Sequence, residues 1–184
     1  MQKKIVSVFG SSRPKPETSG YKEAYLLGEL LARANFSVMT GGYGGTMEAV
    51  SKGAREGGAL VIGVTTAVFE REGKRSGPNP YVSKVIRYET LSERLYHLIS
   101  KCDAAVALSG GIGTFSEVAF TWSLLQTGGI AEKPLVLVGE FWKNVLKVYY
   151  GNGEFVSKKD LELISLVETP EEAVTLLQKG RRRN

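Results

Sequence analysis

Apolar residues follow two alternating patterns along this chain. Short, nearly continuous apolar runs, such as Ile5-Val-Ser-Val-Phe9 and Ala104-Ala-Val-Ala-Leu108, have the length of strands buried on both faces. Between them lie longer stretches with apolar residues at helical spacing. Tyr25, Leu26, Leu30 and Leu31 mark one, and Leu91, Leu95, Leu98 and Cys102 another. The pattern predicts strands at 5–9, 36–39, 60–64, 82–87, 104–108 and 134–138. It predicts helices at 20–34, 47–56, 91–101, 114–126 and 141–150, the second stopped by Gly57-Gly58. Residues 163–166 read either as a last strand or as a short extended piece. Thr169-Pro170-Glu171-Glu172 opens a final helix with an N-cap, a first-turn proline and a capping-box glutamate. Residues 68–81 hold Gly73, Gly77, Pro78 and Pro80 and read as the longest loop, either a lid or a disordered segment.

Strands alternating with helices predict an α/β fold: a doubly wound, mostly parallel sheet with helices on both faces, Rossmann-like in plan. No repeat or internal linker interrupts it, so the expectation is a single nucleotide-binding domain over 1–184 with a disordered tail at 181–184. Ligands in such sheets bind at the carboxyl ends of strands. The turns after Phe9, Thr40 and Leu108 all carry glycine, and the pattern puts all three at that edge.

Composition narrows the class. Hydrophobic residues make up 42% and charged residues 23%, which is ordinary for a globular protein and excludes a disordered one. No apolar run is long enough for a membrane span, and the first residues look like a strand rather than a leader, so the expected location is cytoplasmic. A single cysteine, Cys102, excludes an internal disulfide and a cysteine zinc cage. The net charge of +5, part of it from Arg181-Arg-Arg183, suits a phosphorylated small molecule. Basic and aromatic residues are not interleaved as a nucleic-acid surface would need.

The most informative stretch is Ser109-Gly-Gly-Ile-Gly-Thr-Phe-Ser-Glu117, where an apolar strand runs through glycines into a helix. Gly110, Gly111 and Gly113 let main-chain amides approach a ligand, the helix start adds its positive end, and Thr114 offers a cap or a hydroxyl. A bare strand-to-helix turn is the plainer explanation, but three glycines in four positions exceed what a turn requires. Glu117 reads in two ways. Thr114-Phe-Ser-Glu117 fits a capping box, and a capping glutamate needs no further role. The helix around it is apolar nearly all round and so expected to be buried, and a buried carboxylate beside an open loop suits catalysis. Arg94 flanks its helix's apolar stripe. It either holds a carboxylate or phosphate at the rim or lays its stem on the core with its head in water.

Two further loops belong to the candidate binding set. Gly41, Gly42, Gly44, Gly45 and Thr46 repeat the same logic at a second helix start, where Glu48 is read as compensating the helix dipole. Gly10, Ser11 and Ser12 follow the first strand and offer hydroxyls and amides, or simple turn chemistry. His97, the only histidine, faces away from the stripe and is expected at the surface, which disfavours a histidine triad or a metal site. Neither a G-x-G-x-x-G fingerprint after the first strand nor a Walker lysine is present.

These residues resemble the LONELY GUY (LOG) family of cytokinin riboside 5'-monophosphate phosphoribohydrolases, long labelled possible lysine decarboxylases. Ser109–Glu117 is similar to the family's P-G-G-x-G-T-x-x-E motif. Val8-Phe-Gly-Ser-Ser12 and Thr40-Gly-Gly-Tyr-Gly-Gly-Thr-Met-Glu-Ala-Val50 look like its opening and second loops. The resemblance implies a Rossmann-like dimer without cofactor that hydrolyses the N-glycosidic bond of a nucleoside 5'-monophosphate. It implies catalytic roles for Glu117 and for Arg94, the latter in Leu91-Ser-Glu-Arg-Leu95. Ser109 stands where the family has proline, and Leu91, Ser92 and Leu95 where it has methionine, histidine and lysine. A side branch of the superfamily resembles molybdenum-cofactor carriers, which bind without hydrolysis. Lysine decarboxylation is disfavoured, because no lysine lies in the 109–117 loop to carry pyridoxal phosphate.

Overall fold

The computed structural model describes residues 3–71, 77–150 and 156–180. Its frame is one seven-stranded sheet, parallel throughout. The strands are β1 (Ile5–Phe9), β2 (Ser37–Thr40), β3 (Val61–Thr66), β4 (Lys84–Tyr88), β5 (Ala104–Ala107), β6 (Leu135–Val138) and β7 (Ile164–Val167). They lie in the order β4-β3-β2-β1-β5-β6-β7. The chain builds outward from β1 through β2 and β3 to β4, then crosses back to place β5 on β1's other side. Val6 is in register with Val38 of β2 and with Ala104 of β5. The switch point therefore falls between β1 and β5, the place where open sheets of this plan form a crevice at their carboxyl edge.

Strand alternation divides the core into two layers. Val6, Val8, Val38, Val61, Val106 and Val136 face helices α1 (Ser19–Arg33), α2 (Thr46–Glu56) and α8 (Pro170–Lys179). Phe9, Met39, Ile62, Val64, Ala105, Leu135 and Leu137 face α4 (Leu91–Ser100), α5 (Ile112–Thr127) and α6 (Glu140–Tyr150). Each of these larger side chains, once buried, contributes roughly 1.5–3 kcal/mol. α1 and α2 pack almost backbone to backbone, since a Cβ on Gly28 would lie 2.2 Å from the Val50 carbonyl oxygen and one on Gly53 2.1 Å from that of Tyr25. No described helix is long and apolar enough to cross a membrane.

Several sequence expectations change. The segment read as one long loop contains a short helix, α3 (Ala67–Arg71), tied to β4 by Arg71–Glu89 and Arg87–Glu70 ion pairs; residues 72–76 lie outside the described residues, as do 181–184. A four-residue helix, α7 (Lys158–Leu161), precedes β7 and is capped by Ser157. The strand reading of 163–166 is the one realised, as β7. Glu172 does not close a capping box: its carboxylate accepts from the Glu168 N–H, while Thr169 caps Glu172. The α4 stripe is also shifted. Leu91 is 47% exposed, and Arg94, Leu98 and Ile99 are the buried set. α5 is only half buried, with Ile112 and Phe120 outside, because only one side of it meets the sheet.

Candidate active site

The three glycine-bearing turns do converge at the carboxyl edge. The Ser11 carbonyl accepts from the Thr46 N–H at 2.8 Å, joining the first loop to the second. A Cβ on Gly10 would meet Thr46 Cγ2 at 2.3 Å, so Gly10 and Thr46 are pressed together. Gly45 has φ +69°, and its Cβ position lies 2.4 Å from the Ser12 carbonyl carbon. Gly44 looks toward Glu48, whose carboxylate accepts from the Tyr21 hydroxyl at 3.1 Å. Glu48 is thus hydrogen-bonded to α1 as well as placed at a helix start.

The third loop is built differently. Helix α5 starts at Ile112, with Gly111 as its N-cap and no side-chain cap bond. Thr114 is therefore not the cap. It lies inside the first turn, 3% exposed, with its hydroxyl against Gly110. The early amides of a helix have no intrahelical partner. Here they lie beside Gly111 and Gly113, around whose Cβ positions there is open space for 4 Å. Glycine placement, an uncapped start and the helix dipole together favour an anion at this point.

Because α5 begins earlier than the sequence suggested, Glu117 sits in the second turn and cannot form the Thr114 capping box. Its side chain is 12% exposed. Burial pushes its carboxyl up from an ordinary 4.5 to about 7, and Arg94 opposes that only in part. The reason lies in how Arg94 is held. Its Nε donates to the Val64 carbonyl at 2.7 Å and its Nη2 to the Gly41 carbonyl at 3.2 Å, while Nη1 stands 4.0 Å from Glu117 Oε1. The rings of Tyr43 and Phe69 lie 5.7 and 5.9 Å from its Cζ. The guanidinium is anchored by backbone dipoles and aromatic faces and polarises Glu117 from a distance. Of the two sequence readings of Arg94, the inward one holds, with its head buried rather than in water.

Several contributors to this geometry were not foreseen. Tyr43, 2% exposed, bonds through its hydroxyl to the Thr66 N–H and carbonyl, and Asn79 grips the 42–43 carbonyls. An aromatic inside a glycine loop was the one available signal. Lys133 is buried and donates to the carbonyls of Ile99 and Cys102, closing the carboxyl end of α4, the end opposite Arg94. His97 is not at the open surface: it is half-buried, and its Nδ1 is 2.7 Å from the Tyr88 hydroxyl. Among the described residues no three His, Cys, Asp or Glu side chains gather as a metal-binding group. A separate cleft of about 370 Å³, lined by Lys4, Phe36, Asp103, Glu132 and Lys133 among others, opens at the strands' amino ends, away from the glycine loops.

A parallel sheet with glycine-rich helix starts at its switch point, backed by a buried carboxylate and guanidinium, defines a Rossmann-like α/β protein with a candidate anion site. The chain belongs to the SLOG cluster4 family, whose sequence profile matches residues 3–174, and with its LOG relatives to the SLOG superfamily. It is 30% identical to the cytokinin riboside 5'-monophosphate phosphoribohydrolase LOG3 of Arabidopsis thaliana, over 96% of this chain and 82% of that protein. It is 31% identical to an uncharacterized protein of Archaeoglobus fulgidus over 73% of this chain and 83% of the relative. Among solved structures, the molybdenum cofactor binding protein of Rippkaea orientalis superposes with a TM-score of 0.76, at 24% identity, covering 97% of this chain and 98% of that one. The molybdenum cofactor carrier protein of Chlamydomonas reinhardtii gives a TM-score of 0.73 at 23% identity, covering 97% and 98%. These two likenesses establish a common fold.

Proposed function

We propose that the protein is a phosphoribohydrolase that cleaves the N-glycosidic bond of a nucleoside 5'-monophosphate, of the AMP or cytokinin riboside type, to free base and ribose 5-phosphate. The observation that carries this reading is the Glu117–Arg94 pair, 4.0 Å apart and nearly dry, one turn behind an open, uncapped helix start. The 5'-phosphate sits on the amides of residues 111–114 and places the ribose beside Glu117. As the base leaves, positive charge grows on the sugar ring. The Glu117 carboxylate stabilises that charge and takes a proton from the attacking water. With its carboxyl raised to about 7, Glu117 is suited both to accept and to return a proton near neutral pH. Arg94 holds Glu117 in place and favours its ionised form.

The test is chromatography of products after incubation with AMP and related monophosphates. Glu117→Gln should lower base release by roughly 10²–10⁴-fold while nucleotide binding persists. Equal turnover by both proteins rejects the assignment. One observation favours a second reading, a carrier that binds its phosphorylated ligand without turnover: two Arg94 nitrogens are already engaged by backbone carbonyls rather than aimed at a substrate. Saturable binding with no base release across the nucleotide panel selects that reading. Either protein works in this proposal as a homodimer or larger homo-oligomer, which sedimentation checks.

A further inference from the structure

Asn79 belongs to the glycine- and proline-containing stretch that follows α3, a place where sequence gives no periodic signal. It is 8% exposed, and its amide is fully engaged. Nδ2 donates to the carbonyls of Gly42 at 3.2 Å and Tyr43 at 3.0 Å and lies 3.5 Å from Ser51 Oγ. Oδ1 accepts from the Tyr81 N–H at 3.1 Å, and the Asn79 N–H donates to the Gly42 carbonyl at 2.8 Å. A carboxamide nitrogen with two protons can serve two successive carbonyls, which neither aspartate nor an apolar residue can do.

The same short backbone piece is held elsewhere by Arg94. Its Nη2 bonds to the Gly41 carbonyl, and its guanidinium lies over the Tyr43 ring. Residues 41–43 thus form a bridge with Asn79 on one end and Arg94 on the other. We infer that Asn79 is a positioning residue for the Glu117–Arg94 pair, acting through the backbone of residues 41–43. This rests on reading that pair as the reactive centre. Without the Asn79 side chain, the Tyr43 carbonyl loses that donor and the Gly42 carbonyl keeps only the Asn79 N–H, so the buried peptide planes of residues 42 and 43 are held less firmly. Gly41 and Tyr43 move with them, and Arg94 keeps the Val64 carbonyl and the Phe69 ring but loses the fixed placement of its Gly41 acceptor and its Tyr43 ring. Arg94 is the charged group acting on Glu117, against the desolvation that surrounds the carboxyl. A guanidinium that drifts away leaves Glu117 harder to ionise.

The experiment titrates Glu117 directly, by carboxyl ¹³C NMR of glutamate-labelled protein, its resonance assigned by loss in Glu117→Gln. Asn79→Ala is expected to move the Glu117 midpoint upward by roughly half a pH unit or more. Thr40→Val is the second variant. It keeps strand shape and removes the Thr40 hydroxyl that accepts from the Gly42 N–H at 3.1 Å, and it should move the midpoint in the same direction by less. If Asn79→Ala does not fold, Thr40→Val tests the route through the backbone of residues 41–43, and an unchanged Glu117 midpoint there overturns the inference. A folded variant that melts earlier while Glu117 titrates unchanged overturns the inference and leaves Asn79 as a brace for the loop. Absence of base release by the unaltered protein would sink the hydrolase reading without touching this titration. If base is released, Asn79→Ala should lower kcat by roughly 10–100-fold with KM little changed.

Discussion

The loops at 41–46 and 110–114 look like copies in sequence, each a Gly-Gly run joining a strand to a helix, yet they use their glycines for opposite ends. In the first, the missing side chains are replaced by protein. Gly41 leaves room for Arg94, whose Nη2 would be 2.0 Å from a Cβ, and Gly45 leaves room for the Ser12 backbone. In the second, Gly111 and Gly113 face open space. One loop is a socket that the molecule itself fills, and the other stays open at two of its glycines, with only Gly110 closed off by Thr114. A glycine motif therefore identifies close approach, and only the surroundings tell whether the approaching group is the chain or a ligand.

Substitutions separate the two cases. Gly45→Ala should have the largest effect, a loss of roughly 3–5 kcal/mol of unfolding free energy in denaturant titration, because a left-handed φ and a backbone collision coincide. A midpoint within error of wild type would show that the two loops do not lock together. The buried acid between them comes next. A carboxyl raised from 4.5 to about 7 on folding gives stability that is full below the unfolded value and lost as pH rises through 7. Glu117→Gln should therefore be more stable than wild type by roughly 3 kcal/mol at pH 8, with the gap closing near pH 4. Parallel pH curves for the two proteins would mean that Glu117 is solvated. The smallest effect belongs to Gly113→Ala, which should change stability by no more than about 1 kcal/mol, in the stabilising direction, since it adds alanine to a helix with room for it. Its consequence should appear instead as weaker competition by inorganic phosphate or AMP in a binding titration.

Much of this arrangement could be read from residues alone. Strand-length apolar runs, the parallel plan and the edge that gathers the loops all follow from hydrophobic spacing. So does the meeting of Glu117 with a glycine-rich turn. The misreadings share a physical origin. α3 and α7, at five and four residues, are shorter than one repeat of the amphipathic pattern that reveals a helix. The start of α5 was placed at Thr114 because threonine is a common cap, whereas Gly111 takes that position with extended backbone and no side-chain bond. Arg94 defeats periodicity outright. Leu91 occupies the place that hydropathy would bury, and the arginine goes inside because Val64 and Gly41 offer carbonyls that a leucine could not use. Asn79 is an isolated polar residue in an irregular stretch, and only the carbonyls it meets give it meaning.

The strands that deliver the first and third loops, β1 and β5, are neighbours well inside the sheet, each flanked by others. Nothing frays there. Amide protons beneath the crevice should exchange with solvent only through global unfolding, while those of β4 and β7 at the margins escape sooner. Thermal inactivation and loss of the sheet should then be a single event, because the floor of the crevice has no independent way to melt.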